Sequence, residues 1–467
     1  MGGIKEKIYG LVPYPLKFIL LNIKGYMNVK ERFNKDFYKY YNTFKGQWDA
    51  KIDVLEDYQE DRLRGLLIEV YEYSDWYQTV MKDIGITASD IDNDPYAVLK
   101  RMPILKKIER RTEFERILNK SRETAMVGHT SGTSGTPMID HVDLASINIS
   151  FAFWKRFHYA IGLGPKNRQV RLSGKLIVDP ITKKPPFWMY NYFDDQLLMS
   201  TYHLTENNLG AYIKKLNRFK PVLIDGYPSA LYIMSKYINK HSLKLNFVPK
   251  AIAVTAETLY DYQREEIEKA FQCNVYNQYA SNEGSPFITE CVEGNLHLNI
   301  DSGVFEFFNT DGKKAVPGDI AKLVVTSFIN YRTPLIRYDI GDTVMLNDES
   351  SAACNCGCEM PIIERIIGRE DDILWTEEKG YVGRMDTAFK GLTGIKKSQI
   401  IQENPKEIVL NMVIDEDYND SVELTLLKNL KERLGEETEY QINIIEDIPV
   451  GANGKFDAVK RNFELEF

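Results

Sequence analysis

The sequence predicts an α/β protein: a large N-terminal domain on a parallel sheet with an antiparallel β subregion, then a small α+β domain. Three observations predict it. Between Pro221 and Gln278, short apolar runs alternate with amphipathic helices at βαβ spacing. Beyond about Pro317, β-rich segments such as Ala321–Thr326 suggest antiparallel pairing. After Gly368 the pattern returns to strand, helix and strand.

The elements follow in chain order. From Asn34 to about Asp94 the pattern is aromatic, charged and helical in period, as in Asp61–Tyr71, so residues 1–95 are expected as a helical N-terminal arm. Pro221–Asp225 reads as a buried strand, with a helix from about Ser229 to Lys240. Ala251–Thr255 is the next strand, then a helix over Tyr262–Phe271 and a strand at Asn274–Gln278. The small domain carries a strand near Ile408–Ile414, a helix over Val422–Leu434 and a strand at Tyr440–Ile445. The boundary falls at Ile367–Asp372, giving domains 1–368 and 369–467.

The chain of 467 residues is long enough for two or three domains. Hydrophobic residues at 43% and charged residues at 27% are ordinary for a globular protein. A net charge of −8 argues against a dedicated nucleic-acid binder. No signal peptide and no apolar run long enough to span a bilayer is visible, so a cytoplasmic or peripheral protein is expected. Met1–Lys51 holds ten Lys/Arg against four Asp/Glu, interleaved with Tyr9, Leu11 and Phe18–Leu21. Basic residues among apolar ones suit an anionic membrane surface, and equally an arm packed on its own domain.

The most informative stretch is His129–Pro137. Its glycines, Gly132 and Gly135, allow positive φ and close backbone approach, so successive N–H groups can converge on an anion. The hydroxyls of Ser131, Thr133, Ser134 and Thr136 add neutral donors. No Gly-Lys-Ser/Thr follows the second glycine, so this is not a Walker A loop. Such a cluster can also be a plain surface turn; its order is what distinguishes it. Thr130–Pro137 resembles the Ser/Thr/Gly-rich loop of the adenylate-forming superfamily, which includes acyl-CoA synthetases and peptide-synthetase adenylation domains. That loop usually ends in Pro-Lys, and here Met138 takes the lysine position.

Three further segments occur in that superfamily's order. Thr255–Leu259, with Ala256, Glu257 and Thr258, is similar to the segment that packs against adenine. Tyr279–Glu283, with Ser281 and Asn282, resembles the Tyr-Gly-x-x-Glu motif, whose glutamate helps hold Mg²⁺. A carboxylate suits that hard ion. Pro334–Asp342 looks like the Tyr-x-x-Gly-Asp motif, whose aspartate, here Asp342, accepts from the ribose hydroxyls. Gly368–Asp372 resembles the hinge motif, implying nucleotide contact from Arg369 and backbone rotation at Asp371. Ile448–Phe456 looks like the loop carrying the catalytic lysine, here Lys455. A cation there stabilises the negative charge built as a carboxylate attacks the α-phosphate.

Phe219–Ser229, with Cys354-x-Cys356-Gly357 and Pro449–Lys455, narrows the resemblance to the phenylacetate–CoA ligase-like branch, and within it to the CapK-type capsular polysaccharide group. The resemblance implies ATP-dependent acyl-AMP formation with CoA as the acceptor. The alternatives are an amide or ester ligase acting on an amine- or hydroxyl-bearing molecule in glycan or natural-product biosynthesis, and a nucleotide-binding accessory protein without turnover. Tyr227, Pro228, Ser229, Tyr279, Ser281 and His203 are acyl-pocket candidates by position, His203 being equally readable as a structural histidine.

Five cysteines, three of them in Cys354–Cys358, read as thiolate metal ligation in a reducing compartment. Cys354 and Cys356 form one ligand pair for Zn²⁺; Cys291 and His297, joined by a turn-forming stretch, offer a second. Ligases of this branch are expected to carry a cysteine–histidine cluster there. Cys358 is an alternative thiolate, and Cys273 reads as a buried small residue.

Overall fold

Short apolar runs such as Leu223–Gly226 and Ala251–Val254 form strands buried on both faces, and the amphipathic stretches between them supply the covering helices. The computed structural model describes residues 12–129, 138–179, 181–257, 259, 261–281, 284–309, 312–347, 354–369, 374–382, 385–389, 392, 394–448 and 459–463. Its longer helices are α1 (Tyr14–Arg32), α2 (Lys35–Trp48), α3 (Ile52–Tyr73), α4 (Leu144–Ala160), α5 (Glu206–Phe219), α6 (Pro228–Lys240), α7 (Asp261–Phe271) and α8 (Asp420–Leu434). The strands are β1 (Met126–His129), β2 (Ile139–Val142), β3 (Gln169–Ser173), β4 (Trp188–Asn191), β5 (Gln196–Ser200), β6 (Leu223–Gly226), β7 (Ala251–Val254), β8 (Val275–Ala280), β9 (Phe287–Glu290), β10 (Leu296–Leu298), β11 (Gly303–Phe308), β12 (Ile320–Ser327), β13 (Tyr338–Leu346), β14 (Ile362–Arg369), β15 (Leu374–Thr376), β16 (Gly380–Val382), β17 (Ile395–Asn404), β18 (Glu407–Ile414), β19 (Glu439–Ile444) and β20 (Val459–Arg461).

The chain divides into two compact units. The first comprises Met1–Gln59, Asp143–Ser302 and Ala353–Pro361; the second comprises Glu60–Val142, Gly303–Ala352 and Ile362–Phe467. The helical stretch read as one arm therefore divides within α3.

In the first unit the strands run in the order β10-β9-β8-β7-β6-β3-β5-β4. The pairs β5–β3, β3–β6, β6–β7 and β7–β8 are parallel, while β4, β9 and β10 add antiparallel edges. Leu216 of α5, Met234 of α6 and Phe271 of α7 pack on Leu172, Ile224 and Val254, filling one face. α4 covers the other, through Phe157 and Ile161 on Leu223, Ala251, Ala253 and Tyr276. Local signals set the helix ends. Asp143 caps α4 by accepting from the Ser146 N–H at 2.7 Å, and Pro228 opens α6, where a missing N–H costs nothing. Asp301 and Arg156, both fully buried, pair at the base of α4. With both ions removed from water, neither could be lost without leaving the other uncompensated.

In the second unit β11-β12-β13-β14 form an antiparallel ladder with bulges in β12–β13 and β13–β14. This subregion opens at Gly303, earlier than the expected Pro317, because the half-exposed Gly303–Phe308 run carries no clean alternation. A separate smaller sheet, β19-β18-β17-β20, packs Ile408, Leu410 and Met412 against Leu426, Leu430 and Leu434 of α8. Mixed α/β architecture with a smaller C-terminal sheet matches the expected class.

Candidate nucleotide and acyl site and a candidate metal centre

In an open α/β sheet ligands sit outside the carboxyl ends of parallel strands. In the first unit these ends gather several expected residues. Tyr227 follows β6, Ala256 and Glu257 follow β7, and Tyr279 is the penultimate residue of β8 with Ser281 just beyond its end. Ala256 adopts φ +69°, a left-handed conformation that a residue with a Cβ holds only where the surroundings impose it. Ser281 Oγ donates to the Ser285 carbonyl at 2.6 Å, fixing the turn after β8. Thr258, Asn282 and Glu283 lie outside the described residues, and Ser229 is described only as backbone in α6.

His203 sits among the partners that its structural reading calls for. Its Nδ1 meets Ser200 Oγ at 2.8 Å, its Nε2 donates to the Asp179 carbonyl at 3.1 Å, and its ring stacks on Phe187 at 4.7 Å. Burial lowers its pKa, so the neutral ring serves this packing. Both ring nitrogens are engaged within the protein.

In the second unit Asp342 lies in β13 directly opposite Arg369, the last residue of β14. The segment before it is pinned: the Tyr77 hydroxyl donates to the Pro334 carbonyl and accepts from the Ile336 N–H, both at 3.1 Å. Arg337 grips Glu306 at 2.8 and 2.9 Å. Gly341, at φ +71°, donates its N–H to Asp339 Oδ1, and a Cβ there would run into the Lys107 ammonium. Residues 130–137, the phosphate-loop candidates, fall outside the described residues, as do Asp371 and Lys455. The flank is informative, however. Beside Met138, where the resemblance leads one to expect lysine, lies the buried Arg110 guanidinium, 3.9 Å from the Met138 sulfur and paired with Asp140. Lys107 and Arg110 are cations the sequence reading did not single out. Their signal was the basic run Lys106-Lys107-Ile108-Glu109-Arg110-Arg111 ahead of the loop.

Cys291, His297, Cys354 and Cys356 come together within the first unit, their ligand atoms all within 4.8 Å of one another. The β9–β10 hairpin carries the first two, its turn closed by the Cys291 N–H on the Asn295 carbonyl at 3.0 Å. The tight turn Cys354–Gly357 carries the others, with Gly357 at φ +86°. Cys291 Sγ lies 3.7 Å from Cys354 Sγ, and Cys356 Sγ lies 3.4 Å from His297 Nε2. A tetrahedral zinc with ordinary Zn–S and Zn–N bonds has edges of about 3.8 and about 3.6 Å. His297 Nδ1 donates to the Met360 carbonyl at 2.9 Å, which fixes the tautomer and points the Nε2 lone pair at the cluster. Burial lowers the His297 pKa, keeping that lone pair free, and raises the Cys291 thiol, so without a metal the thiol form is favoured there. Asn295 Nδ2 donates to Cys354 Sγ at 3.2 Å, and the Cys358 N–H points at Cys356 Sγ at 3.4 Å. Three sulfurs and one imidazole in closed geometry suit Zn²⁺. Cys358 is buried outside this set.

The chain is 33% identical to protein CapK of Staphylococcus aureus over 452 residues, which is 96% of this chain and 97% of that protein. It is 24% identical to the phenylacetate-coenzyme A ligase of Thermus thermophilus over 339 residues, covering 69% of this chain and 72% of that protein. The family model for the CapK C-terminal domain matches residues 374–462. Among solved structures, 2-hydroxyisobutyryl-CoA ligase in its postadenylation state aligns with a TM-score of 0.58 at 16% identity, over 86% of this chain and 88% of that one. The same ligase in its thioesterification state, with 2-HIB-AMP and CoA, aligns with a TM-score of 0.58 over 89% and 91%.

Proposed function

The chain belongs to the family of protein CapK, in the phenylacetate–CoA ligase-like branch of the adenylate-forming ligases, and from that membership we propose that it converts a carboxylic acid and ATP to an acyl-AMP and pyrophosphate, then passes the acyl group to CoA. The observation that carries this reading is the set of strand ends in the first unit, where Tyr227, Ala256, Glu257, Tyr279 and Ser281 stand in the superfamily's order, with Ala256 held left-handed. The reaction proceeds in two displacements. A carboxylate oxygen attacks the α-phosphorus and pyrophosphate leaves; the CoA thiol, losing its proton, then attacks the acyl carbon and AMP leaves. The roles implied for Lys455, stabilising the charge that grows on the α-phosphate, and for Asp342 and Arg369, binding the nucleotide, complete the reading. Mg²⁺, which Glu283 would hold, neutralises phosphate charge when bound. Asp371 is the hinge of the 369–467 domain, which carries Lys455.

Pyrophosphate exchange with pooled carboxylic acids tests the first step, and added CoA or amine and hydroxyl acceptors test the second. Acid-dependent exchange with a CoA thioester as product is expected. Exchange with only an amide or ester as product would move the protein to the glycan-ligase alternative, and binding without exchange to the accessory one.

A second partner follows from α1. Its outward side shows Leu16, Ile19, Leu20, Ile23 and Met27, the last 62% exposed, among the exposed Lys24 and Lys30. Its inner side rests on the edge strand β4: Tyr14 donates to the Trp188 carbonyl at 2.8 Å and Asn22 to the Tyr190 carbonyl at 3.0 Å. The exposed Tyr192 and Phe193 extend the apolar surface. No described helix is long and apolar enough to cross a membrane. Apolar groups plus a local positive surplus in a chain of net −8 fit an anionic lipid surface. The protein is expected to float with anionic liposomes and to detach at high salt. Equal flotation after deletion of residues 1–27 would end the idea.

A further inference from the structure

We infer that the acyl pocket accepts an acid whose far end carries a second anionic group. This rests on the adenylation reading, which supplies the reacting carboxylate, but the pocket is argued from its own residues. In the first unit β3 lies where the strand order reverses, flanked by β5 on one side and β6 on the other, which is where open α/β sheets form a ligand crevice. Arg171, the middle residue of β3, and Asp225, the penultimate residue of β6, are cross-strand partners on the sheet face that α4 covers. Ser173 lies two residues further along that face. Tyr227 marks the same end, its hydroxyl close enough to Gly174 that a Cβ there would lie at 3.2 Å.

The chemistry concentrated here is cationic. Lys155 of α4 is 7% exposed; Asp194, Asp225 and Arg171 are its charged neighbours, and its ammonium lies over the Phe33 ring at 5.8 Å. Among the described residues no carboxylate is within ion-pair distance of it. Desolvation accordingly pushes its pKa down to about 8. Arg32, near Asp194 and Arg171, and Lys175, exposed near Arg171 and Asp225, complete the group. With Lys24 beside Lys175 and Glu31 beside Arg32, five cations thus stand against three carboxylates, and Asp194 is already engaged by Asn191 at 3.0 Å.

A structural ion network would satisfy its members, and this one does not. Arg171 approaches Asp225 only to 3.4 Å. Arg171 Nε, Ser173 Oγ and both ring nitrogens of His158 are buried without a hydrogen-bond partner among the described residues, and Asp225 Oδ2 has only that ion pair with Arg171. His158, 1% exposed, lies one turn beyond Lys155 on α4. Buried polar groups are normally paired, and a concentration of unpaired ones marks the place of a ligand or ordered water. The surplus of positive charge selects an anion: a carboxylate, phosphonate or phosphate on the substrate would accept from Lys155, Arg171 and Ser173 together.

The test uses full-length protein without ATP and matched probes: C4–C8 dicarboxylates and phosphonocarboxylates against the corresponding monocarboxylates. At least one dianion should raise the melting temperature while its monocarboxylate partner does not. Lys155→Met and Arg171→Met should each weaken that dianion about 10- to 100-fold, the scale of one charge-assisted hydrogen bond. Arg171→Met/Asp225→Asn keeps the local charge balanced, and melting without ligand shows that each variant folds. Equal stabilisation by monocarboxylates, no shift with any dianion, or unchanged affinity in the folded variants overturns the inference. Exchange supported by monocarboxylates alone would sink this pocket and leave adenylation standing. Dianion binding without exchange from any acid would do the reverse.

Discussion

Lys455→Ala is expected to slow pyrophosphate exchange about 10²–10³-fold, the effect of removing one preorganised electrostatic contact from the transition state. ATP affinity should change little, because charge on the α-phosphate grows only as the carboxylate attacks. Arg369→Ala should weaken nucleotide binding as well. The pair separates two roles: a cation acting on the developing charge lowers kcat and kcat/KM equally, whereas one that holds the ground-state nucleotide raises KM. Exchange at the parental rate in Lys455→Ala would remove that lysine from the chemistry.

Loss of the metal centre should cost stability rather than the chemical step. Protein purified without chelator should hold about one zinc per chain. At free zinc a thousandfold above Kd, a bound metal stabilises the native state by about 4 kcal/mol. Cys354→Ser and Cys291→Ser should each lower zinc content and the melting temperature, because each removes a thiolate that shares the cluster with His297. The centre would join the β9–β10 hairpin to residues 354–361, where the Leu298 N–H already donates to the Pro361 carbonyl at 2.7 Å. Thiolates compete with protons for the metal, so zinc content should fall on acidification. A fully stable, metal-free preparation, or full zinc content in Cys291→Ser, contradicts the assignment.

In the parallel sheet β6, β7 and β8 with α6 and α7 were legible because each has local punctuation, an apolar run or Pro228 at a helix start, whereas β3, β5, α4 and α5 were not read from the string. The candidate metal cluster was legible from spacing, since the turns at Gly294 and Gly357 are local events. Other features depend on contacts distant in sequence. Nothing in the string says that Arg110 returns to Met138 and Asp140, or that Arg171 and Lys155 face one another across a sheet and a helix rather than solvent. His203 was ambiguous for the same reason. Its ring partners, Ser200, Asp179 and Phe187, come from three segments, and only their convergence makes it structural. β11 escaped because Gly303–Phe308 is half-exposed along most of its length and lacks two-residue alternation.

The most direct test of adenylation follows the atoms. With an acid that supports exchange, ¹⁸O-labelled in its carboxylate, and with ATP and acceptor, the oxygen that attacks the α-phosphorus stays with the nucleotide when the acyl group departs. Mass spectrometry should find AMP carrying one ¹⁸O, formed in step with acyl product. Unlabelled AMP, or ADP with the label in inorganic phosphate, would contradict acyl-AMP formation.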